Sequence, residues 1–298
     1  MDLRSLPGAN AAVILKRLWL KRFLTAAALT AALGACGAAE APVAPEPPKP
    51  AACEAPAFAA AAAANAAGMR GLVFSLFGLS EVGWGAYGPL LAREVRTACP
   101  PESSGFARDL AGWGPGRSPD GIVDLDTLKS MAVIVQGRRP AVKAQGICPA
   151  PPDESGLTVA QPEEGYQGKL VSLRPEVLEA YRRMVAAARA EEPEIAGDHQ
   201  WLSLVSGYRS PAYDAARCAT EGNCDGVRRA ACSPHRTGLV LDLYVGKAEG
   251  FGPVSVEDAN RLTQSQTKAY RWLVANAARF GFVNYPFEPW HWEWAGAR

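Results

Sequence analysis

Histidine is scarce: the 298-residue chain has three, His199, His235 and His291. Any site built on imidazole must draw on that short set. Excess charge is missing too. Lys and Arg number 31 against 30 Asp and Glu, a formal net charge of +1, so there is no bulk electrostatic case for a nucleic-acid partner. The apolar run from Phe23 to Ala35 has 13 residues, short of the about 20 that span a bilayer as a helix. No two cysteines stand in C-x-x-C spacing, which argues against a cysteine-only zinc site. The length allows one or two domains with a sizeable core.

The small positive balance belongs to a leader. Residues 1–35 hold five of the basic residues and one of the acidic ones; the rest of the chain carries a net charge of −3. Lys16, Arg17, Lys21 and Arg22 precede the apolar run, which ends in Leu33-Gly34-Ala35-Cys36. This is the layout of a secretory signal, and its end resembles the bacterial lipobox, in which the cysteine is lipidated and becomes the new N-terminus. The resemblance implies a membrane anchor at Cys36. Gly37 is not the aspartate associated with inner-membrane retention, so in a Gram-negative cell it implies outer-membrane sorting, facing the periplasm. An ordinary cleaved signal is the alternative. With Cys36 set aside, Cys53, Cys99, Cys148, Cys218, Cys224 and Cys232 remain, an even number suited to disulfides in an oxidising compartment. A local Cys218–Cys224 loop is the expected pairing.

Residues 36–67 are rich in Ala and Pro and read as a tether. Residues 68–139 read as a small helical domain, with helices expected over Tyr87 to Arg96, over Phe106 to Trp113, and from an N-cap at Asp126 through Val135. Asp120-Gly121-Ile122-Val123-Asp124-Leu125-Asp126-Thr127-Leu128 resembles the end of peptidoglycan-binding repeats, although Asp124 stands where that pattern has glycine. A generic three-helix module is the alternative. Residues 140–165 read as a linker. Residues 166–298 read as an α+β domain, a small antiparallel sheet flanked by helices. Its helices are expected at Arg174 to Ala190, Pro211 to Ala219 and Thr267 to Phe280. Its strands are expected at Trp201 to Ser206, Leu239 to Val245, Phe282 to Tyr285 and Trp290 to Trp294.

Chemistry concentrates in this last part. Asp242 interrupts the apolar run Leu239 to Val245, and a carboxylate in a buried strand needs a partner. His235 lies seven residues before it, across Gly238. Alone, the two serve equally as a buried ion pair or as metal ligands. In Trp290-His291-Trp292-Glu293-Trp294, strand alternation puts His291 and Glu293 on one face and three tryptophans on the other. Two histidines and an aspartate form a three-ligand set for a catalytic zinc, with the fourth position left for water. Glu288 precedes Pro289 and is biased toward extended backbone, where it can serve as an acid/base; Glu293 is the rival. Ser206-Gly207-Tyr208-Arg209-Ser210 delivers an arginine at a strand end, a fork for a carboxylate or a developing oxyanion. His199 has no motif around it and reads as a surface residue.

Ser-Gly-Tyr-Arg-Ser, Ser-x-His-x-x-Gly-x-x-x-Asp and Glu-Pro-Trp-His, in this order, resemble the zinc D-Ala-D-Ala carboxypeptidases, the family of VanY and VanX, over about Leu170 to Trp294. The resemblance implies Zn2+ held by His235, Asp242 and His291, Glu288 as catalytic base, and Arg209, Tyr208 and Ser233 against the substrate, a peptidoglycan stem peptide. Val240 stands where alanine is commoner. The segment Cys218 to Cys232 is an insertion between motifs, expected to reshape the cleft. LD-carboxypeptidase or endopeptidase activity on the same scaffold, or a wall-binding lipoprotein without catalysis, are the alternatives.

Overall fold

The structure, a computed structural model, describes residues 53–115, 118–143, 150–222 and 233–296. The leader, the anchor at Cys36 and the cysteines Cys148, Cys224 and Cys232 lie outside those residues, as does most of the insertion before Ser233. The described chain is α+β, and none of its helices is long and apolar enough to cross a membrane.

The alanines at the end of the Ala/Pro-rich stretch form helix α1 (Ala59–Gly71), pinned by one polar residue. Buried Asn65 donates to Gly121 O and accepts from Val123 N. A hairpin follows, inside the part read as a small helical domain but at a place where no element was expected: β1 (Val73–Leu76) pairs with β2 (Leu79–Val82) across Phe77 and Gly78. Both turn residues have positive φ, which commits the chain to a two-residue hairpin turn. Helices α2 (Gly88–Val95), α3 (Ser104–Ala111) and α4 (Leu125–Gln136) lie close to their expected places. The cap of α4 is Asp124, not Asp126. The Asp124 carboxylate accepts from Thr127 N at 2.8 Å, while Asp126 lies in the first turn, exposed beside Lys129. A short α5 (Pro140–Lys143) ends this part, and a Cys53–Cys99 disulfide ties its beginning to the turn after α2.

The second part opens with a two-strand ladder, β3 (Thr158–Val159) against β4 (Ser172–Leu173). Helix α6 (Pro175–Glu191) buries Val177, Leu178, Tyr181, Met184, Val185 and Ala188, the expected stripe. After α7 (Pro193–Gly197) come β5 (Leu204–Ser206), α8 (Pro211–Glu221), a 3₁₀ turn over Pro234–Thr237 and β6 (Val240–Leu243). Helix α9 (Asp258–Gln266) was not expected: its apolar content is low, and it buries Asn260, Arg261 and Gln264 instead. The helix expected over Thr267 to Phe280 is α10 (Lys268–Asn276) plus a 3₁₀ turn. Strands β7 (Phe282–Tyr285) and β8 (Glu288–Trp294) close the chain.

The sheet runs β5-β6-β8-β7, antiparallel throughout. Its register is what positions the site, because Asp242 on β6 pairs with Ser206 on one side and with His291 on the other. One hydrophobic core continues through both parts, from Phe74, Trp84, Leu90 and Met131 to Met184, Leu241, Tyr270 and Trp292. Each such side chain contributes roughly 1.5–3 kcal/mol when fully buried.

Candidate metal centre and catalytic residues

His235, Asp242 and His291 converge, each offering a ligand atom within 4.8 Å of the others. Each is brought there by a different local device. Pro234 at the first position and a Ser233 cap start the 3₁₀ turn, and Gly238 with φ 69° ends it, so His235 is turned back toward the sheet. Asp242 and His291 are cross-strand partners. Trp290 and Trp292 sit in the core on the opposite face of β8, with Trp294 packed against it. That face holds the strand still beneath His291.

The atoms facing one another are specific. His235 Nε2 lies 3.4 Å from one Asp242 carboxylate oxygen, and His291 Nδ1 lies 3.1 Å from the other. His235 Nδ1 is 2.6 Å from Gly207 O. A carbonyl only accepts, so Nδ1 carries the proton and Nε2 is left with its lone pair toward Asp242. Glu288 Oε2 stands 3.5 Å from His291 Nδ1, on the same side as Asp242. It begins β8, in line with the extended backbone that Pro289 favours. Its side chain stays partly exposed, whereas the three converging residues are buried.

Burial and charge set the protonation of the group. Burial lowers His235, with Asp242 opposing. Burial would raise Asp242, but the two imidazoles outweigh it and hold the carboxyl well below its usual range. Burial would lower His291, yet the Asp242 and Glu293 carboxylates beside its two nitrogens and the charges of Asp242 and Glu288 push it up to about 9. Burial raises Glu288, and the Asp242 charge adds to that rise.

Glu293 is on the His291 face, as strand alternation requires, but it is not open to substrate. It is 1% exposed. Arg139 donates to it through Nε at 2.8 Å and through a second guanidinium nitrogen, and Ala141 N adds a bond at 2.9 Å. Its oxygen lies 3.5 Å from His291 Nε2, which has no closer polar partner among the described residues. Glu293 therefore backs the histidine. Burial would raise its carboxyl, but His291 and Arg139 bring it down to about 2.

Arg209 leaves the end of β5 as expected. Its NH2 group donates to Ser233 Oγ at 3.1 Å, and its Nε stands 3.2 Å from an Asp214 carboxylate oxygen on α8 without hydrogen-bond geometry. Tyr208 turns its hydroxyl to Glu154, 3.0 Å away. His199 is exposed. Arg139, Asp214, the Gly207 carbonyl and Asn284 had no local signature. Asn284 donates to Glu288 O and His291 O and so ties the two ends of the Glu-Pro-Trp-His segment.

The donor set fits zinc. Two imidazoles and one carboxylate are the ligands that ion prefers, leaving a position open. Both histidines have their far nitrogens directed at a carbonyl or a carboxylate, as metal-bound histidines do.

Residues 170–297 match the VanY family. That family is described as D-alanyl-D-alanine carboxypeptidase, and the matched span contains β5 to β8 with His235, Asp242, His291, Glu288 and Arg209, but not Arg139. Among solved structures, the chain is similar to the LdcB LD-carboxypeptidase, described for its peptidoglycan recognition. Identity is 26% over 43% of this chain and 61% of that one, with a TM-score of 0.31. The chain thus spans less than two thirds of the LdcB chain. It is also similar to a Glu-to-Ala mutant of the vancomycin-resistance D,D-pentapeptidase VanY from a VanB-type cassette, in complex with Zn(II). Here identity is 20% over 49% of this chain and 83% of that one, with a TM-score of 0.29. No curated protein matches.

Proposed function

We propose that the protein is a zinc-dependent carboxypeptidase that removes the terminal D-alanine from peptidoglycan stem peptides. One observation carries this: the two histidines and the aspartate converge beside Glu288 inside the span that matches the VanY family. His235, Asp242 and His291 would hold the metal. When bound there, zinc supplies Lewis-acid polarisation and a more acidic water.

The chain's own residues do the rest. Glu288 accepts the proton of the attacking water as its oxygen bonds to the scissile carbonyl carbon. It returns that proton to the leaving amine as the C–N bond breaks. Burial raises the Glu288 carboxyl, which makes its carboxylate a stronger base for the first half of that exchange. Arg209, steadied by Ser233 and Asp214, faces the developing oxyanion or the substrate carboxylate. Asp242, held ionised, keeps the negative charge that the metal needs. The leader and Cys36 support a periplasm-facing, lipid-anchored protein.

The test is incubation of zinc-loaded protein with defined muropeptides, followed by mass analysis of what is released. Free D-alanine from a D-Ala-D-Ala terminus is the expected product. Release of D-alanine only from tetrapeptides would make it an LD-carboxypeptidase. A folded protein that neither binds zinc nor cleaves any muropeptide refutes the proposal.

A further inference from the structure

The β1–β2 hairpin lies outside the family match, yet it reaches the candidate site. Its turn is Phe77-Gly78, with φ of 56° and 80°. Such turns favour Asn-Gly, Asp-Gly or Gly-Gly, since a bulky side chain at positive φ is strained. The Phe77 ring packs far along the chain, with its centroid 5.4 Å from Tyr285 and 5.9 Å from Phe287. Those two residues flank Pro286 in the turn that delivers Glu288. Tyr285 stands edge-on to the His291 ring at 5.9 Å.

The base of the same hairpin grips that turn a second time. Glu81 is 2% exposed and accepts from Tyr87 Oη and Arg261, each at 2.7 Å. Arg261, 1% exposed, donates its Nε to Phe287 O at 2.8 Å and lies 4.0 Å over the Phe287 ring. The backbone carbonyl just before Glu288 and the ring beside it are therefore both held by the hairpin or through it. Strained backbone persists where the surroundings over-determine it, and it clusters at functional sites.

We infer that the β1–β2 hairpin is a positioning element of the active site, with Phe77 holding the Tyr285–Phe287 turn so that Glu288 and His291 keep one orientation toward each other. Phe77 acts through Tyr285 and Phe287 and is not itself a catalytic residue. The inference rests on the peptidase function proposed above and adds to it a part of the chain that the family match does not contain.

The test compares Phe77→Gly and Phe77→Tyr with the wild type, each as the full chain loaded with zinc. Glycine removes the ring and relieves the strain at positive φ, so the turn itself is not weakened. Two readouts are taken. With only three histidines, the imidazole nitrogen resonances of His291 can be followed against those of exposed His199. Phe77→Gly is expected to shift or broaden the His291 signals, leave those of His199 in place, and lower kcat on muropeptide about tenfold with KM within about twofold. Phe77→Tyr, which keeps the ring, restores both readouts. Unchanged His291 signals in folded Phe77→Gly protein overturn the inference whatever the activity. A wild type that shows the His291 shift on mutation but cleaves nothing refutes the peptidase function and leaves the positioning role standing.

Discussion

Replacing Arg139 with methionine removes one half of a buried pair whose other half backs a candidate metal ligand. The two side chains are 8% and 1% exposed, so Glu293 would keep its burial and lose its main countercharge. Breaking such a pair from one side costs about 3–5 kcal/mol. The guanidinium also lies 4.1 Å over the Tyr285 ring, a desolvated cation–π contact of about 2 kcal/mol, part of which methionine recovers through packing. A net loss of about 5 kcal/mol corresponds to a fall in Tm of roughly 10–20 °C for a domain of this size. The measurement is thermal unfolding by circular dichroism, with every variant saturated in zinc so that metal linkage does not enter the comparison. The double variant Arg139→Met/Glu293→Leu separates the pair from its parts. Two apolar groups of similar volume leave no orphaned charge, so the double variant is expected to be more stable than either single one. Additive losses, or a single-variant loss under about 1 kcal/mol, would show that solvent reaches the pair and that Glu293 is not held as its geometry implies.

His235→Ala should abolish stoichiometric zinc binding, read by metal analysis after dialysis; retention of one zinc per chain would remove His235 from the ligand set. Glu288→Gln should keep the zinc and lose about 10²–10⁴ in kcat, whereas Glu293→Gln should show mainly a stability loss; the reverse pattern would exchange their roles. In Gly207→Ala the new methyl would meet Val171 Cγ1 at 2.5 Å and Ser172 O at 2.6 Å, displacing the carbonyl that fixes His235, so zinc affinity should fall about 10–100-fold in a competition titration. Cys99→Ser opens a loop closed across 46 residues, which should cost about 4 kcal/mol by urea unfolding; a loss below about 1 kcal/mol would mean the ends of that loop are held by packing instead.

The convergence of His235, Asp242 and His291 was legible because each announces itself locally. Asp242 breaks an apolar strand, His291 alternates with tryptophans, and Pro234 and Gly238 bracket His235 with turn chemistry. The α6 stripe was legible for the same reason, a period written in consecutive residues. Arg139 and Arg261 were not legible, and neither was the depth at which Glu293 is buried. A buried charge is tolerated only by its partner, and those partners lie 154 and 180 residues away. Arg139 looks like the cationic end of a helix, and Arg261 sits in a helix too polar to announce a buried face. Strand alternation told which face of β8 His291 shares with Glu293, but not that this face is covered. The covering of Glu293 comes from the N-terminal part, through Arg139 and Ala141, and no periodicity in β8 can report it. The same limit explains the hairpin. Phe77-Gly78 is a poor turn by its own chemistry, and its choice of residue makes sense only when Tyr285 and Phe287 are beside it. Positions that look locally wrong are therefore where the distant half of a site should be sought.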